Sequence, residues 1–257
     1  MPRLTDPKAI RARLERDRPW TAFALADLEP PYSAHANWFI PAGNSQAIGL
    51  LYRAFGTPIV LCSGQADEWP DLLREMDDAI ADAREVYAVV RPELLPAIRA
   101  QYRPVEERPM VRMLLDSTRF RPVVSDAATR ISPSGLEAVK ALFANEPPPF
   151  FLPSMLDDGI YYGICEEEHL VALAGTHVLA RDVSVAALGN IYTRPDRRGR
   201  GLAGAVTSAV ARDLIEMGIA TIVLNVREDN HPAVRVYERL GFERYCTYFE
   251  VPARRVE

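Results

Sequence analysis

Between Arg198 and Gly204 the chain reads Arg-Gly-Arg-Gly-Leu-Ala-Gly, a stretch too small in side chain to pack a core but well suited to hold an anion. Glycine and alanine let backbone N–H groups approach a bound group closely, and donors that open a helix favour negative charge. Arg194, Arg197, Arg198 and Arg200 add positive charge, so a pyrophosphate matches better than a lone carboxylate. No Lys-Ser or Lys-Thr follows the glycines, which excludes a Walker loop. Gly199, Gly201 and Gly204 satisfy the bare Gly-x-Gly-x-x-Gly string. The strand expected over 219–226 carries no acidic residue to hold a ribose, which argues against a dinucleotide fold.

Downstream, Asn230 precedes a helix that Pro232 opens, where an Asn cap is ordinary, and Ala233, Val236, Tyr237 and Leu240 lie on that helix, where a lone Tyr would be a packed core aromatic in most proteins. Candidate general bases are Glu166, Glu167, Glu168 and His177. The triple Glu reads as a solvated hairpin tip and His177 as a structural strand histidine, so neither is assigned. His35, His169 and His231 show no metal spacing, and Cys62, Cys165 and Cys246 lack any Cys-x-x-Cys pattern; no metal is expected, and buried free thiols are.

The elements that must position these residues follow from spacing. Ile160–Cys165, His169–Leu179 and Val183–Thr193 read as an antiparallel meander. Leu202, Val206, Val210 and Leu214 recur every four residues and predict a helix ending at Gly218; a buried strand, the Pro232 helix and a last strand near 245–251 follow. Before them the spacing predicts a β-like segment over 123–131, then a helix over 133–144 capped by Ser132 or Ser134. The first half reads as strands between Asn37 and Gly64, a helix over 69–83, a strand over 86–90, a helix over 92–102 and a strand over 110–115. We place the boundary at residue 117: an N-terminal α/β domain over 1–117 and a second domain over 118–257.

Arg198-Gly199-Arg200-Gly201-Leu202-Ala203 resembles the cofactor signature of the GNAT N-acetyltransferase superfamily, and Asn230-His231-Pro232-Ala233 through Tyr237 to Gly241-Phe242 resembles that family's second motif. The resemblance covers about residues 120–257. It implies an α/β fold with a mixed sheet, the acyl-CoA N-acyltransferase fold, splayed near Thr193. It further implies that backbone groups of Ile191, Tyr192 and Thr193 pair with the pantetheine arm of acetyl-CoA. The amides of Arg198, Gly199, Arg200, Gly201, Leu202, Ala203 and Gly204 would hold the pyrophosphate, Asn230 would contact the cofactor, and Tyr237 would lie near the thioester sulfur. The N-terminal half lacks the loop and is open to two readings, a diverged copy of the same fold or an independent α/β cap.

The rest of the composition sets limits. Apolar residues make up 48% and charged residues 25%, ordinary for a folded chain, and a net charge of −5 argues against a nucleic-acid partner. Without a run of about 18 apolar residues or a secretory leader, a cytoplasmic protein with no membrane partner is expected. The expected activity is acetyl transfer from acetyl-CoA to an amine of a small molecule or peptide. The alternatives are a non-catalytic acyl-CoA-binding regulatory module and a transferase of another acyl group.

Overall fold

The computed structural model describes residues 5–41, 45–80, 83–148 and 150–256. In chain order the elements are α1 (Pro7–Leu14), α2 (Ala22–Ala26), β1 (Ala36–Phe39), β2 (Ile48–Tyr52), β3 (Ile59–Ser63), α3 (Trp69–Asp77), β4 (Glu85–Val90), α4 (Leu95–Gln101), β5 (Tyr102–Pro104) and β6 (Arg108–Leu115). There follow β7 (Thr129–Arg130), α5 (Leu136–Phe143), α6 (Met155–Asp158), β8 (Tyr161–Glu166), β9 (His169–Ala180), β10 (Val185–Thr193), α7 (Leu202–Glu216), β11 (Thr221–Arg227), α8 (His231–Leu240) and β12 (Phe242–Arg255). Positions 81 and 82 of the helix expected over 69–83 lie outside the described residues.

Contacts divide the chain into two compact units: residues 1–112, 227–229 and 246–257 in one, 113–226 and 230–245 in the other. In the second unit β7, β8, β9 and β10 pair antiparallel in sequence, and β11 joins β10 in parallel after the α7 crossover. The four-residue apolar repeat explains the crossover: Val206, Val210 and Leu214 are fully buried, and Gly218 ends the helix in the left-handed conformation (φ +75°). On another face of this unit Val139, Leu142 and Phe143 of α5 pack with Leu156, Tyr161, Leu170 and Leu173.

Two local expectations are corrected. The β-like segment over 123–131 shrinks to Thr129–Arg130, because Val123 and Val124 are exposed and the Val123 N–H is taken by the Ser208 hydroxyl (2.8 Å). Neither Ser132 nor Ser134 caps α5; their hydroxyls bond each other (2.7 Å), and a 3-10 turn over Pro133–Gly135 leads in instead. Of the expected buried thiols Cys62 is buried, whereas Cys165 is exposed and Cys246 intermediate.

The first unit repeats the order of the second. β1, β2 and β3 pair antiparallel, and β4 joins β3 in parallel after α3. The fold is thus mixed α/β with the same strand logic twice over, in line with a diverged copy. Its core gathers Trp69, Leu72, Leu73 and Met76 of α3 and Leu94, Leu95 and Ile98 with Val251 and Ala253 of β12. β12 is antiparallel to β4 from Phe249↔Val90 to Arg254↔Glu85. Contacts therefore part after Arg112 rather than at 117, and residues 246–257 return to the first unit. A linear reading has no means of seeing that return, since it rests on a pairing about 160 residues apart in sequence.

Candidate active site

After β10 the chain makes a turn at Pro195–Arg197, then takes left-handed backbone at Gly199 (φ +80°) and Gly201 (φ +78°) before α7 begins. Any other residue there would cost roughly 1–2 kcal/mol in backbone strain. A Cβ built on either glycine meets nothing within 4 Å, so the loop presents open space. Gly201 is itself the N-cap of α7; no side chain caps the helix, and its first turn carries no acidic residue. The leading N–H groups of a 15-residue helix are thus left without a side-chain acceptor, which fits a bound anion.

The arginines around the loop divide into two kinds. Arg194 pairs with Asp196 (2.6 Å), and Arg197 with Asp196 (2.7 Å) and Glu166 (2.7 Å). Arg200 also reaches Glu166 (2.8 Å), yet its side chain and that of Arg198 are more than half exposed. Arg198 Nε donates to the Thr193 carbonyl (3.2 Å), and its guanidinium lies 5.9 Å from the Tyr192 ring centroid. Glu166 is therefore more than a solvated hairpin tip. Hydrogen bonds from Arg200 and Arg197 hold its carboxyl below the usual range, which ties the β8–β9 hairpin to the loop and makes it a poor proton acceptor.

The parallel ladder between β10 and β11 runs from Val185↔Thr221 to Leu188↔Leu224 and stops, five residues before the Thr193 position expected for the splay. Beyond it β10 still pairs with β9 at Tyr192↔Leu173 and Thr193↔Ala172. Ile191, Tyr192 and Thr193 thus sit on a strand that has left its β11 neighbour. Two register shifts mark this place: one makes His177 an extra residue in β9, and the other inserts a residue in β10 between Gly189 and Tyr192. Asn190 takes left-handed backbone there (φ +52°), and its Nδ2 donates to the Tyr161 hydroxyl (2.9 Å). Among the described residues the Oγ1 of Thr193 and Oδ1 of Asn190 are buried without hydrogen-bond partners. Sequence inspection missed the Asn190–Tyr161 contact. Its only trace was Gly175 and Gly189, where a Cβ would fall 2.1 Å from the Tyr161 ring and 2.3 Å from the His177 ring.

On α8, Asn230 is the N-cap, its Oδ1 accepting from the Ala233 N–H (3.3 Å), which leaves the carboxamide N–H groups for another partner. Tyr237 lies on the buried face with Val234 and Leu240 and meets Phe242 edge-on, ring centroids 6.2 Å apart. Burial pushes its phenol above the ordinary value. Gly241 is left-handed (φ +101°), and a Cβ there would fall 2.2 Å from the Arg119 carbonyl oxygen; the Gly-Phe pair is a point of close backbone approach. Among the described residues no group of three or more His, Cys, Asp or Glu could hold a metal.

The family model described as FR47-like protein matches residues 161–251, the span that contains β8 to α8, the loop and the splay. These residues form a GNAT-family domain. The chain is also similar to a mycothiol acetyltransferase of Corynebacterium aurimucosum, 40% identical over 85 residues, 30% of this chain and 27% of the relative. The alignment thus spans about a quarter of that relative's length. At the level of fold, a GCN5-related N-acetyltransferase from Kribbella flavida is similar over 95% of both chains (TM-score 0.62, 18% identity). A tandem GNAT protein from the clavulanic acid biosynthesis pathway is similar over 98% of this chain and 97% of its own (TM-score 0.62, 15% identity).

Proposed function

We propose that this chain is an acetyl-CoA-dependent N-acetyltransferase that moves an acetyl group to an amine of a small molecule or peptide. One observation carries the reading: an uncapped helix N-terminus opened by two left-handed glycines stands at the end of a strand whose ladder has just parted from its neighbour. The first feature suits a pyrophosphate and the second an extended arm lying along Ile191–Thr193 like an added strand. The amides of Arg198–Gly204 would hold the pyrophosphate, Asn230 would contact the cofactor with its remaining N–H groups, and Tyr237 would hydrogen-bond the departing sulfur. Names of relatives support acetyl transfer as the reaction class.

The test is thiol release from acetyl-CoA across an amine panel, with calorimetry alongside. We expect binding together with turnover on at least one amine, and loss of binding in Gly201→Val, whose backbone strain and side chain both oppose the loop. Binding without turnover would favour a regulatory acyl-CoA-binding module. Unchanged affinity in folded Gly201→Val would overturn the loop assignment.

A further inference from the structure

The facing bulges of β9 and β10 bring together side chains that have no part in the reading above. The Tyr161 hydroxyl donates to the Thr176 carbonyl (2.9 Å), so its oxygen is the acceptor for Asn190 Nδ2 (2.9 Å). That order fixes which way the Asn190 carboxamide is turned. Its Oδ1 is then a buried acceptor left over, a costly arrangement that calls for a reason. His177 supplies one: its ring lies beside the Asn190 carboxamide and over Gly189, the first residue past the end of the β10–β11 ladder. Gly189 has no side chain to occupy that space, and the ring fills it. Burial lowers the pKa of the imidazole, so the ring is neutral at physiological pH. Glu166, another of the bases weighed from sequence, is already held by Arg197 and Arg200.

We propose that His177 is the general base for the acceptor amine, with Asn190, steadied by Tyr161, as the positioning residue whose carboxamide oxygen stabilises the imidazolium. This rests on the acetyl-transfer reading. One proton passes from the acceptor ammonium to the imidazole. The freed nitrogen lone pair forms the N–C bond to the thioester carbonyl, and the C–S bond breaks with its electron pair on sulfur. The nitrogen's second proton neutralises the thiolate, and the imidazolium returns its proton to solvent. The products are the amide, the free thiol and one proton.

His177→Gln and His177→Asn would be compared with wild type using ethanolamine, an ammonium at neutral pH, and hydroxylamine, which is already unprotonated. The expected result is an ethanolamine turnover lower by about 10²-fold, a hydroxylamine turnover within a few-fold of wild type, and unchanged acetyl-CoA affinity by calorimetry. Nitrogen-15 NMR of the wild type should find the His177 ring neutral at pH 7. Equal losses with both amines, no loss with either, or an imidazolium at pH 7 would overturn the assignment. Failure of wild type to acetylate any amine while it binds acetyl-CoA would overturn the acetyl-transfer reading itself, and this base with it.

Discussion

Tyr237 shows how burial narrows a residue's chemical options. A phenol held above its ordinary pKa of about 10 is a weaker acid than a thiol, whose value is near 8.5, so handing a full proton to a thiolate is uphill. Donating a hydrogen bond to the sulfur as charge builds is not. Tyr237→Phe should then lower turnover by on the order of 10²-fold while acetyl-CoA affinity, carried by the loop, changes much less; steady-state rates paired with calorimetry decide it, and wild-type turnover would make Tyr237 a packing residue. Burial also raises the phenols of Tyr87, Tyr102 and Tyr248. Because the native state keeps these protons when the unfolded chain has lost them, stability is fully present below pH about 10 and falls as pH rises beyond it. Ultraviolet titration should therefore show their ionisation arriving with unfolding; free titration of these tyrosines in a folded protein would contradict the burial. At this scale the places of Asn230 at the start of α8 and Tyr237 on it were legible in sequence, since local spacing fixes them. His177 was weighed as a base and left unassigned, and Asn190 beside it was missed, because two bulges bring them together and register leaves no local pattern.

The start of α7 separates two reasons for a glycine. Gly199 and Gly201 need left-handed backbone, whereas Gly204 is helical, and a Cβ on it would meet only Val236 Cγ1 at 3.7 Å, an ordinary contact. Nothing in the protein alone requires Gly204. Gly204→Ala should raise helix stability by up to about 1 kcal/mol; if the backbone there lies against a pyrophosphate, the same change should weaken acetyl-CoA binding tenfold or more. A thermal melt and a calorimetric titration give both answers, and unchanged affinity would move the cofactor away from the first turn. The helix itself was evident from its four-residue repeat, and the meander from its Val, Ile and Tyr-rich runs. The point where β10 leaves β11 was placed five residues late. Residues on both sides of Leu188 are equally strand-like, so composition does not mark where a ladder ends.

The two units share one strand logic but treat the helix of the parallel crossover, α3 in the first and α7 in the second, differently. In the second unit that helix is uncapped; in the first, Glu68 sits in the corresponding place, accepting from the Gln65 N–H (3.2 Å) and the Ser45 hydroxyl (2.5 Å). A cavity of about 510 Å³ does open there, but Asp67, Glu68 and Glu93 line it beside Arg13 and Arg91. On the proposed reading a built-in carboxylate stands where the phosphate would, so titration of the full chain should saturate at one acetyl-CoA; a reproducible second equivalent would refute this. Sequence anticipated the missing loop in the first half and a last strand near 245–251, but not that strand's partner β4, which lies far back along the chain. Truncation after Tyr245 would strip β4 of its neighbour and remove Tyr248, Val251 and Ala253, each at most 1% exposed. Hydrogen exchange should then show protection lost in the first unit, and a fully protected first unit would contradict the pairing. The same strand governs the order of events at birth. Residues 246–255 leave the ribosome more than a hundred residues after β4, a delay of roughly 7–30 s at ordinary synthesis rates, so the half made first is the half completed last, and that edge of β4 stays unpaired until then.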